Sequence, residues 1–234
     1  MKEKLGFAPD PLQCRVLDTD ARQGMLNCTR QWGKSTVTAA KAVHQAWREK
    51  GSLTIVINPT SRQSGEFVRK AATFLRKLKA PVRGDGDNEM SLALTNGSRI
   101  VGLPGSEATI RGFSAASLLL IDEASRVSDE VYKAVRPMIA TSDGALWLMS
   151  TPYGKRGFFY EEWKNGGPEW KRVAVKATEC PRIPASFLEK ERKRAINEQW
   201  FAQEYLCEFG EPPGPKARRP RVMNRLHMHS FSEV

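Results

Sequence analysis

Residues 28–36, Cys-Thr-Arg-Gln-Trp-Gly-Lys-Ser-Thr, restrict the folds open to this chain more than any other stretch. They end in Gly-Lys-Ser at 33–35, as does the phosphate-binding pattern G-x-x-x-x-G-K-[ST], although Cys28 replaces the first glycine of that pattern. An apolar run at 25–28 precedes the loop and a helix-compatible segment at 35–48 follows it. This is the strand–loop–helix order that the pattern needs, so the sequence predicts a nucleotide site here.

The chemistry expected of this loop follows from its position at the start of a helix. A helix N-terminus presents unpaired N–H groups and the positive end of the helix dipole to an anion. Lys34 would add a point charge near the β- and γ-phosphates of a nucleotide, and the Ser35 hydroxyl would bind Mg²⁺. Because Gly-Lys-Ser also occurs by chance, the prediction needs support from further motifs.

Length and composition narrow the class of protein. With 234 residues, 40% of them hydrophobic and 27% charged, the chain fits one large α/β domain, or such a domain with a small appendage. No apolar run reaches the ~18 residues of a membrane span, and the charged N-terminus does not resemble a secretory signal. The four cysteines are scattered without a C-x-x-C pair, which favours reduced thiols in a cytoplasm over zinc. Only three histidines are present, which disfavours a histidine-based hydrolase.

Net charge points to a class of partner. A formal charge of +11 and a pI near 9.7 describe a surface that attracts phosphate backbones, although generic solubilising charge is the alternative. The excess is partly local, in the segments 69–79 and 216–221. Composition shifts at Gly210, beyond which basic residues and prolines dominate. We therefore predict a folded domain at 1–210 and a basic, proline-rich linker or tail at 211–234 that is disordered when free.

Hydrophobic periodicity predicts an α/β fold with a mainly parallel sheet flanked by helices. Buried strands are expected at 53–57, 117–121 and 145–150, and a half-exposed strand at 170–176. Residues 90–103 predict a hairpin, because two alternating runs flank Asn96-Gly97, a favoured two-residue turn. Helices are expected at 11–18, 37–47, 61–79, 128–139, 156–164, 185–195 and 198–205, with a loop or short helix at 109–113.

A second motif, at 117–124, ends a run of large aliphatic residues with Asp122 and Glu123. Such a run is typical of a central parallel strand, whose carboxyl end lies at the edge of the sheet where ligands bind. Asp122 would hold Mg²⁺ in its outer shell, and Glu123 would orient a water molecule for attack on the γ-phosphate. The alternative is a buried strand that ends at a helix whose N-terminus prefers acids. Because this motif and the Gly-Lys-Ser loop occur in the order that one site needs, together they favour a P-loop NTPase.

Two further stretches each have a functional and a structural interpretation. Residues 150–152, Ser-Thr-Pro, end another strand, where hydroxyl groups would sense the γ-phosphate; a Pro-Gly turn is the alternative. Upstream of the loop, Phe7 and Gln13 would hold an adenine ring, since the amide offers a donor and an acceptor to the base edge. The alternative there is an ordinary helix with Asp10 as N-cap and Pro11 in its first position.

These four motifs, taken in order, resemble those of the N-terminal ATPase domain of the large subunit of phage terminases, the DNA-packaging motors. That family commonly replaces the first glycine of the phosphate loop and carries Arg-Gln inside it, as Cys28 and Arg30-Gln31 do here. The segment 201–209 also looks like the family's end of this domain, so the resemblance covers roughly residues 5–210. It implies an ASCE-type P-loop NTPase that hydrolyses ATP with Mg²⁺.

The resemblance also implies residue roles. The nucleotide would be held by Gln13, Arg30, Gln31, Gly33, Lys34, Ser35 and Thr36, and the metal by Ser35 and Asp122. Glu123 would be the catalytic carboxylate, and Arg30 would act on the γ-phosphate in cis. Ser150 and Thr151 would belong to the motif that couples hydrolysis to DNA movement.

Partners and location follow from the same resemblance. The domain would couple ATP hydrolysis to translocation of double-stranded DNA into a procapsid. It would act in a ring of subunits, expected to be a pentamer, with the portal protein and the terminase small subunit. A neighbouring subunit would supply an arginine, for which we predict Arg111 ahead of Arg126 and Arg136; a DNA or surface contact is the alternative for Arg111. A phage- or prophage-encoded motor would work in the cytoplasm of its bacterial host.

One part of the family pattern has no counterpart in the sequence. The large subunit usually continues into a nuclease domain with a cluster of metal-binding acids, whereas the only acidic side chains after Phe209 are Glu211 and Glu233. Endonuclease activity is therefore not expected of this chain, and the nuclease would be truncated, separately encoded or lost. Two rival functions stay open: a superfamily 2-type helicase fragment, and a non-catalytic DNA-binding assembly protein.

Overall fold

The computed structural model describes residues 5–83, 90–105, 110 and 112–211. The strands in these ranges are β1 (Gln23–Cys28), β2 (Leu53–Asn58), β3 (Val82–Arg83), β4 (Ser91–Leu94), β5 (Arg99–Pro104), β6 (Leu118–Asp122), β7 (Ala145–Ser150) and β8 (Trp170–Val175). They form one sheet in the order β3-β4-β5-β2-β6-β7-β1-β8. The strands from β5 to β8 in that order are parallel, and β4 and β3 extend the β5 edge in antiparallel pairing. The mainly parallel sheet and the hairpin at 90–103 are thereby confirmed.

Helices cover both faces of this sheet. In the described part of the chain they are α1 (Pro11–Leu17), α2 (Lys34–Arg48), α3 (Ser61–Lys77), α4 (Asp129–Val135), α5 (Gly157–Asn165), α6 (Ala185–Arg194) and α7 (Glu198–Leu206). One core layer packs α2 and α3 on the sheet, and the other packs α4 and α5 on the opposite face. None of the described helices is both long and apolar enough to cross a membrane.

Two predicted helices end earlier than expected. The segment 128–139 is α-helical only over α4, and a 3₁₀ turn continues it from Arg136 to Ile139. The change follows from Pro137, which has no N–H with which to continue the α-helical hydrogen bonds. The helix predicted at 61–79 ends at Lys77, and Lys79 already has a positive φ of 52°. The tail beyond Glu211 lies outside the described residues, as do Arg111 and part of the segment 109–113.

The aliphatic run of β6 reflects burial on both faces of the sheet. Leu118 and Leu120 pack into the α2–α3 layer, whereas Leu119 and Ile121 pack into the α4–α5 layer. A strand covered on both sides has apolar residues at every position rather than at alternate ones. Because β2, β6, β7 and β1 are neighbours and parallel, the residues that follow them lie at one edge of the sheet. That edge carries Asp122 and the Gly-Lys-Ser loop.

Candidate active site

The phosphate loop connects β1 to the first residue of α2. Gly33 has φ +93°, and a Cβ added there would lie 3.1 Å from Nε2 of Gln13, so glycine is the residue that fits. Gln31 also has a positive φ of 65°, which a residue with a side chain rarely adopts. Since α2 begins at Lys34, the loop leads directly into a helix N-terminus, where free N–H groups attract an anion.

Lys34 lies against the loop that it belongs to. Its Nζ donates hydrogen bonds to the carbonyl oxygens of Cys28, at 3.0 Å, and Thr29, at 3.2 Å. A longer bond of 3.5 Å reaches Oγ1 of Thr151, at the end of β7. The lysine is only 7% exposed, so its positive charge is buried at the edge of the sheet. It therefore connects the phosphate loop to the strand end predicted to sense the γ-phosphate.

Ser35 and Asp122 meet as the sequence motifs predict. The Ser35 hydroxyl donates to Oδ2 of Asp122 at 2.6 Å, and Oδ1 of Asp122 accepts the N–H of Glu123 at 3.0 Å. Asp122 is 4% exposed. A hydroxyl and a carboxylate side by side are oxygen donors of the kind that Mg²⁺ prefers, with phosphate oxygens completing the coordination. The donor set therefore fits a magnesium ion bound together with a nucleotide.

Glu123 occupies a strained backbone position beside this pair. Its φ of 52° and ψ of 41° are in the left-handed region, which costs a non-glycine residue on the order of 1–3 kcal/mol and is common at functional sites. Burial raises the pKa of its carboxyl group, as does Asp122, while the charges of Lys34, Arg30 and Arg126 lower it. The carboxylate is thus a stronger proton acceptor than one in water, yet three cations face it.

Ser125 joins the acidic strand to the end of β7, a link that sequence reasoning did not identify. Its hydroxyl lies 2.6 Å from that of Ser150 and donates to the carbonyl oxygen of Thr151 at 2.8 Å, while its N–H bonds the Ser150 hydroxyl. Ser150 and Thr151 are buried behind the loop rather than lining the cavity. The only sequence signal for Ser125 is its position two residues after Glu123.

Gln13 is buried at the base of the loop. Its Oε1 accepts the N–H of Asp10 at 3.0 Å, and Asp10 accepts the N–H of Gln13 in return, which is a capping box. Nε2 of Gln13 also donates to the carbonyl oxygen of Trp32 at 2.7 Å. The capped-helix alternative, with Pro11 at the helix start, is therefore present in the structure. Since an amide has two N–H groups and two lone pairs, one of each is left for a base edge.

Arg30 points to α7, which sequence reasoning did not associate with the site. Its Nε lies 2.7 Å from Oε2 of Glu204, and Oγ1 of Thr29 donates to the backbone oxygen of Glu204 at 3.2 Å. Nearby, the Asn27 side chain donates to the carbonyl oxygen of Cys207 at 2.9 Å. The loop is thus bonded directly to the last helix of the described domain. No motif marks Glu204, because the pairing depends on how the chain folds.

The predicted nucleotide residues border one cavity of about 650 Å³. The sequence assigned nine of its lining residues to the nucleotide or to catalysis, including Phe7 and Glu123, and named Arg126 as a candidate arginine; the structure adds side chains from distant segments. Its polar and charged lining residues are Gln13, Arg30, Gln31, Lys34, Ser35, Thr36, Gln63, Lys70, Glu123, Arg126 and Arg182, with Phe7, Ala8, Trp32 and Gly33. Asp122 borders a smaller adjoining cavity of about 110 Å³, shared with Ser35 and Glu123. Arg136 instead pairs with Glu162, and Arg111 lies outside the described residues.

Comparisons with known sequences match the chain to one family of proteins. The family model described as terminase large subunit, T4likevirus-type, N-terminal, matches residues 25–218. The terminase large subunit of Thermus virus P23-45 is 26% identical over 186 residues, an alignment that covers 70% of this chain and 38% of that protein. The chain therefore spans well under half the length of this relative.

Comparisons with solved structures agree on the fold. The large terminase ATPase domain of Thermus phage P74-26 matches with a TM-score of 0.78 at 22% identity, covering 89% of this chain and 96% of that domain. The large terminase of a thermophilic bacteriophage, in complex with ADP, matches with a TM-score of 0.70 at 12% identity, covering 86% of this chain and 53% of that one. At these identities, the matches show a shared architecture.

Proposed function

The chain belongs to the terminase large-subunit family, in its T4likevirus-type N-terminal part, and from this premise we propose that it is the ATP-hydrolysing domain of a viral DNA-packaging motor. The observation that carries the proposal is the convergence of Lys34, the Ser35–Asp122 hydrogen bond and Glu123 at one sheet edge. The ADP complex of the large terminase from the thermophilic bacteriophage supports a nucleotide as the occupant. Because the side-chain types needed for hydrolysis meet at one sheet edge, a non-catalytic assembly protein is less well supported.

Glu123 is the proton acceptor in the proposed reaction. A water molecule held by its carboxylate attacks the γ-phosphorus in line, the bond to the β-phosphate oxygen breaks, and ADP and phosphate leave. The burial that raises the Glu123 pKa suits this role, because it strengthens the carboxylate as a base. The backbone position of Glu123, bonded through its N–H to Asp122, directs the carboxylate at the cavity.

Lys34, Ser35 and Asp122 bind the phosphates and the metal in this proposal. Ser35 and Asp122 would hold Mg²⁺, which neutralises charge on the β- and γ-phosphate oxygens when bound. Lys34 exchanges its bonds to the loop carbonyls for bonds to phosphate oxygens. The loop N–H groups, with Gln31, Gly33 and Thr36 around them, complete the phosphate cradle, and Gln13 meets the adenine with its remaining donor and acceptor.

Coupling begins, in this proposal, at the contact between Lys34 and Thr151. When Lys34 turns to the phosphates, Thr151 loses its 3.5 Å bond to Nζ. Ser125 connects Ser150 and Thr151 to the segment that follows Glu123, so a shift at either strand end is transmitted to the other. The strand end leads into α5, which would pass the movement towards DNA.

Replacing Glu123 tests the catalytic assignment directly. Both Glu123→Ala and Glu123→Gln should keep ATP affinity within a few-fold while hydrolysis falls by about 10³-fold or more, because only the step that removes the water proton is lost. Titration calorimetry gives the affinity, and release of inorganic phosphate gives the rate. Glu189→Ala is the matched control, since Glu189 is exposed on α6. Unchanged turnover in the Glu123 variants would disprove the assignment.

Assembly and partners form the wider part of the proposal. Subunits would form a ring, proposed as a pentamer, with the portal protein and the small subunit, and would translocate double-stranded DNA into a procapsid in the bacterial host cytoplasm. The folded unit would end near residue 210, and the basic segment beyond it would act as a linker or tail. Arg111 would act in trans, with Arg30 in cis. Mixing Arg111→Ala and Glu123→Ala subunits should then restore part of the activity, and no recovery in assembled rings would contradict a trans role.

A further inference from the structure

Arg182 has no role in the sequence motifs, yet it lies at the boundary of two cavities. It lines the nucleotide cavity and also a neighbouring cavity of about 620 Å³ formed with α6 and α7. The segment that carries it is rigid, because Pro181 and Pro184 flank it and the Ile183 N–H bonds the carbonyl oxygen of Cys180 at 3.0 Å. The backbone that carries Arg182 is therefore restricted before any ligand binds.

The side-chain hydrogen bonds of Arg182 come from one nitrogen of its guanidinium group. Nη2 donates to Oδ2 of Asp10 at 3.1 Å and to the carbonyl oxygen of Trp32, which also accepts from Gln13. Because the hydrogen bonds of a guanidinium group lie in its plane, these two bonds do not occupy its planar faces. The side chain is 42% exposed, and the cation–aromatic contacts recorded for the described residues belong to other side chains.

Arg182 lies at a part of the nucleotide cavity where the phosphates are not expected. The phosphates are expected at Lys34 and Ser35, near Glu123. Arg182 and Gln13 instead meet at the Trp32 carbonyl oxygen, on the α1 side of the loop. A nucleotide anchored by its phosphates would place its base on that side.

We propose that Arg182 is a base-binding residue, whose guanidinium face stacks on the purine ring of the bound nucleotide while its Nη2 group bonds Asp10 and the Trp32 carbonyl oxygen. The inference rests on the proposed function, because it deepens the nucleotide site. A planar, weakly hydrated guanidinium stacks well on aromatic rings, whereas a lysine ammonium has no plane to offer. Gln13 then reads the base edge, and Arg182 provides the surface on which the base lies.

A phosphate-only probe separates base contact from simple support of the loop. Titration calorimetry compares Mg²⁺-ATP with Mg²⁺-tripolyphosphate on the whole chain. Arg182→Ala should lose about tenfold in ATP affinity and less than about twofold in tripolyphosphate affinity. Arg182→Lys should lose nearly as much ATP affinity, although it keeps the charge and the means to bond Asp10. Arg194→Ala, an exposed arginine at the end of α6, should change neither affinity.

The possible outcomes separate a failure of base contact from a failure of the proposed ATPase function. An equal loss for ATP and tripolyphosphate, or no loss for either, would overturn base contact while leaving the nucleotide site standing. Full retention of ATP affinity in Arg182→Lys would also overturn stacking, since charge alone would then suffice. If the unaltered chain bound neither probe, the proposed function itself would fail, and this inference with it. Tripolyphosphate binding by each variant also shows that the variant has kept a folded loop.

Discussion

Replacing Glu204 with glutamine should tighten ATP binding by up to about fivefold, because Arg30 would no longer have to leave an ion pair to reach the γ-phosphate. The pair has an Nε–Oε2 distance of 2.7 Å, with the two side chains 61% and 10% exposed. Because the arginine partner is mostly exposed to water, the pair is taken to contribute about 0.2–1 kcal/mol, far less than its Coulomb energy at that distance suggests. At the upper limit, about 1 kcal/mol corresponds to about a fivefold change in affinity.

Titration calorimetry with ATP and ADP tests this expectation at low and high salt. ADP affinity should change little in Glu204→Gln, since ADP has no γ-phosphate for Arg30 to contact. The gain for ATP should shrink at about 1 M salt, where exposed charges are screened. Glu198→Gln is the matched control, because Glu198 lies on the same helix and pairs with Arg192, with both side chains 61% exposed. An equal change for ATP and ADP, or weaker ATP binding, would show that the pair does not restrain Arg30.

Three further predictions concern Lys34 in the phosphate loop, Gly24 in β1 and Glu123, the proposed proton acceptor. Lys34→Ala should weaken binding of ATP and of ADP together, by about 10²-fold or more, because it removes the buried cation of the loop; intact binding in a titration would contradict the phosphate role. Gly24→Ala should lower the free energy of unfolding by about 1–3 kcal/mol, since the added methyl group would overlap the buried Trp147 indole; urea unfolding measures this, and an unchanged midpoint would contradict the close approach of β1 and β7. The rate of hydrolysis should fall with pH, and the fall should begin at a higher pH than for an ordinary glutamate. The reason is that burial raises the pKa of Glu123, and only its carboxylate form can accept a proton. A pH–rate profile without this decline would argue against Glu123 as the base.

Much of the scaffold could be predicted from local patterns. The buried strands that carry Cys28, Asp122 and Ser150 were expected within a residue or two of their observed bounds, because an aliphatic run covered on both sheet faces has a distinctive sequence. The Ser35–Asp122 contact was also expected, since two motifs that need each other occur in the required order. The helix predicted at 128–139 was too long, because apolar spacing continues past Pro137 although a proline has no N–H with which to continue the α-helix.

Local sequence therefore determined the strands, the phosphate loop and the identity of the acidic pair, because hydrophobic period and loop chemistry act over a few neighbouring residues. The contacts of Arg30 with Glu204, and of Arg182 with Asp10, join residues more than 170 positions apart. They depend on β1 lying between β7 and β8, which brings the segments after β8 against the phosphate loop. No short pattern encodes that neighbourhood, since it arises from the order in which the whole sheet assembles. The tertiary structure alone thus decided that Lys70 and Arg182 also border the nucleotide cavity and that Glu204 restrains Arg30.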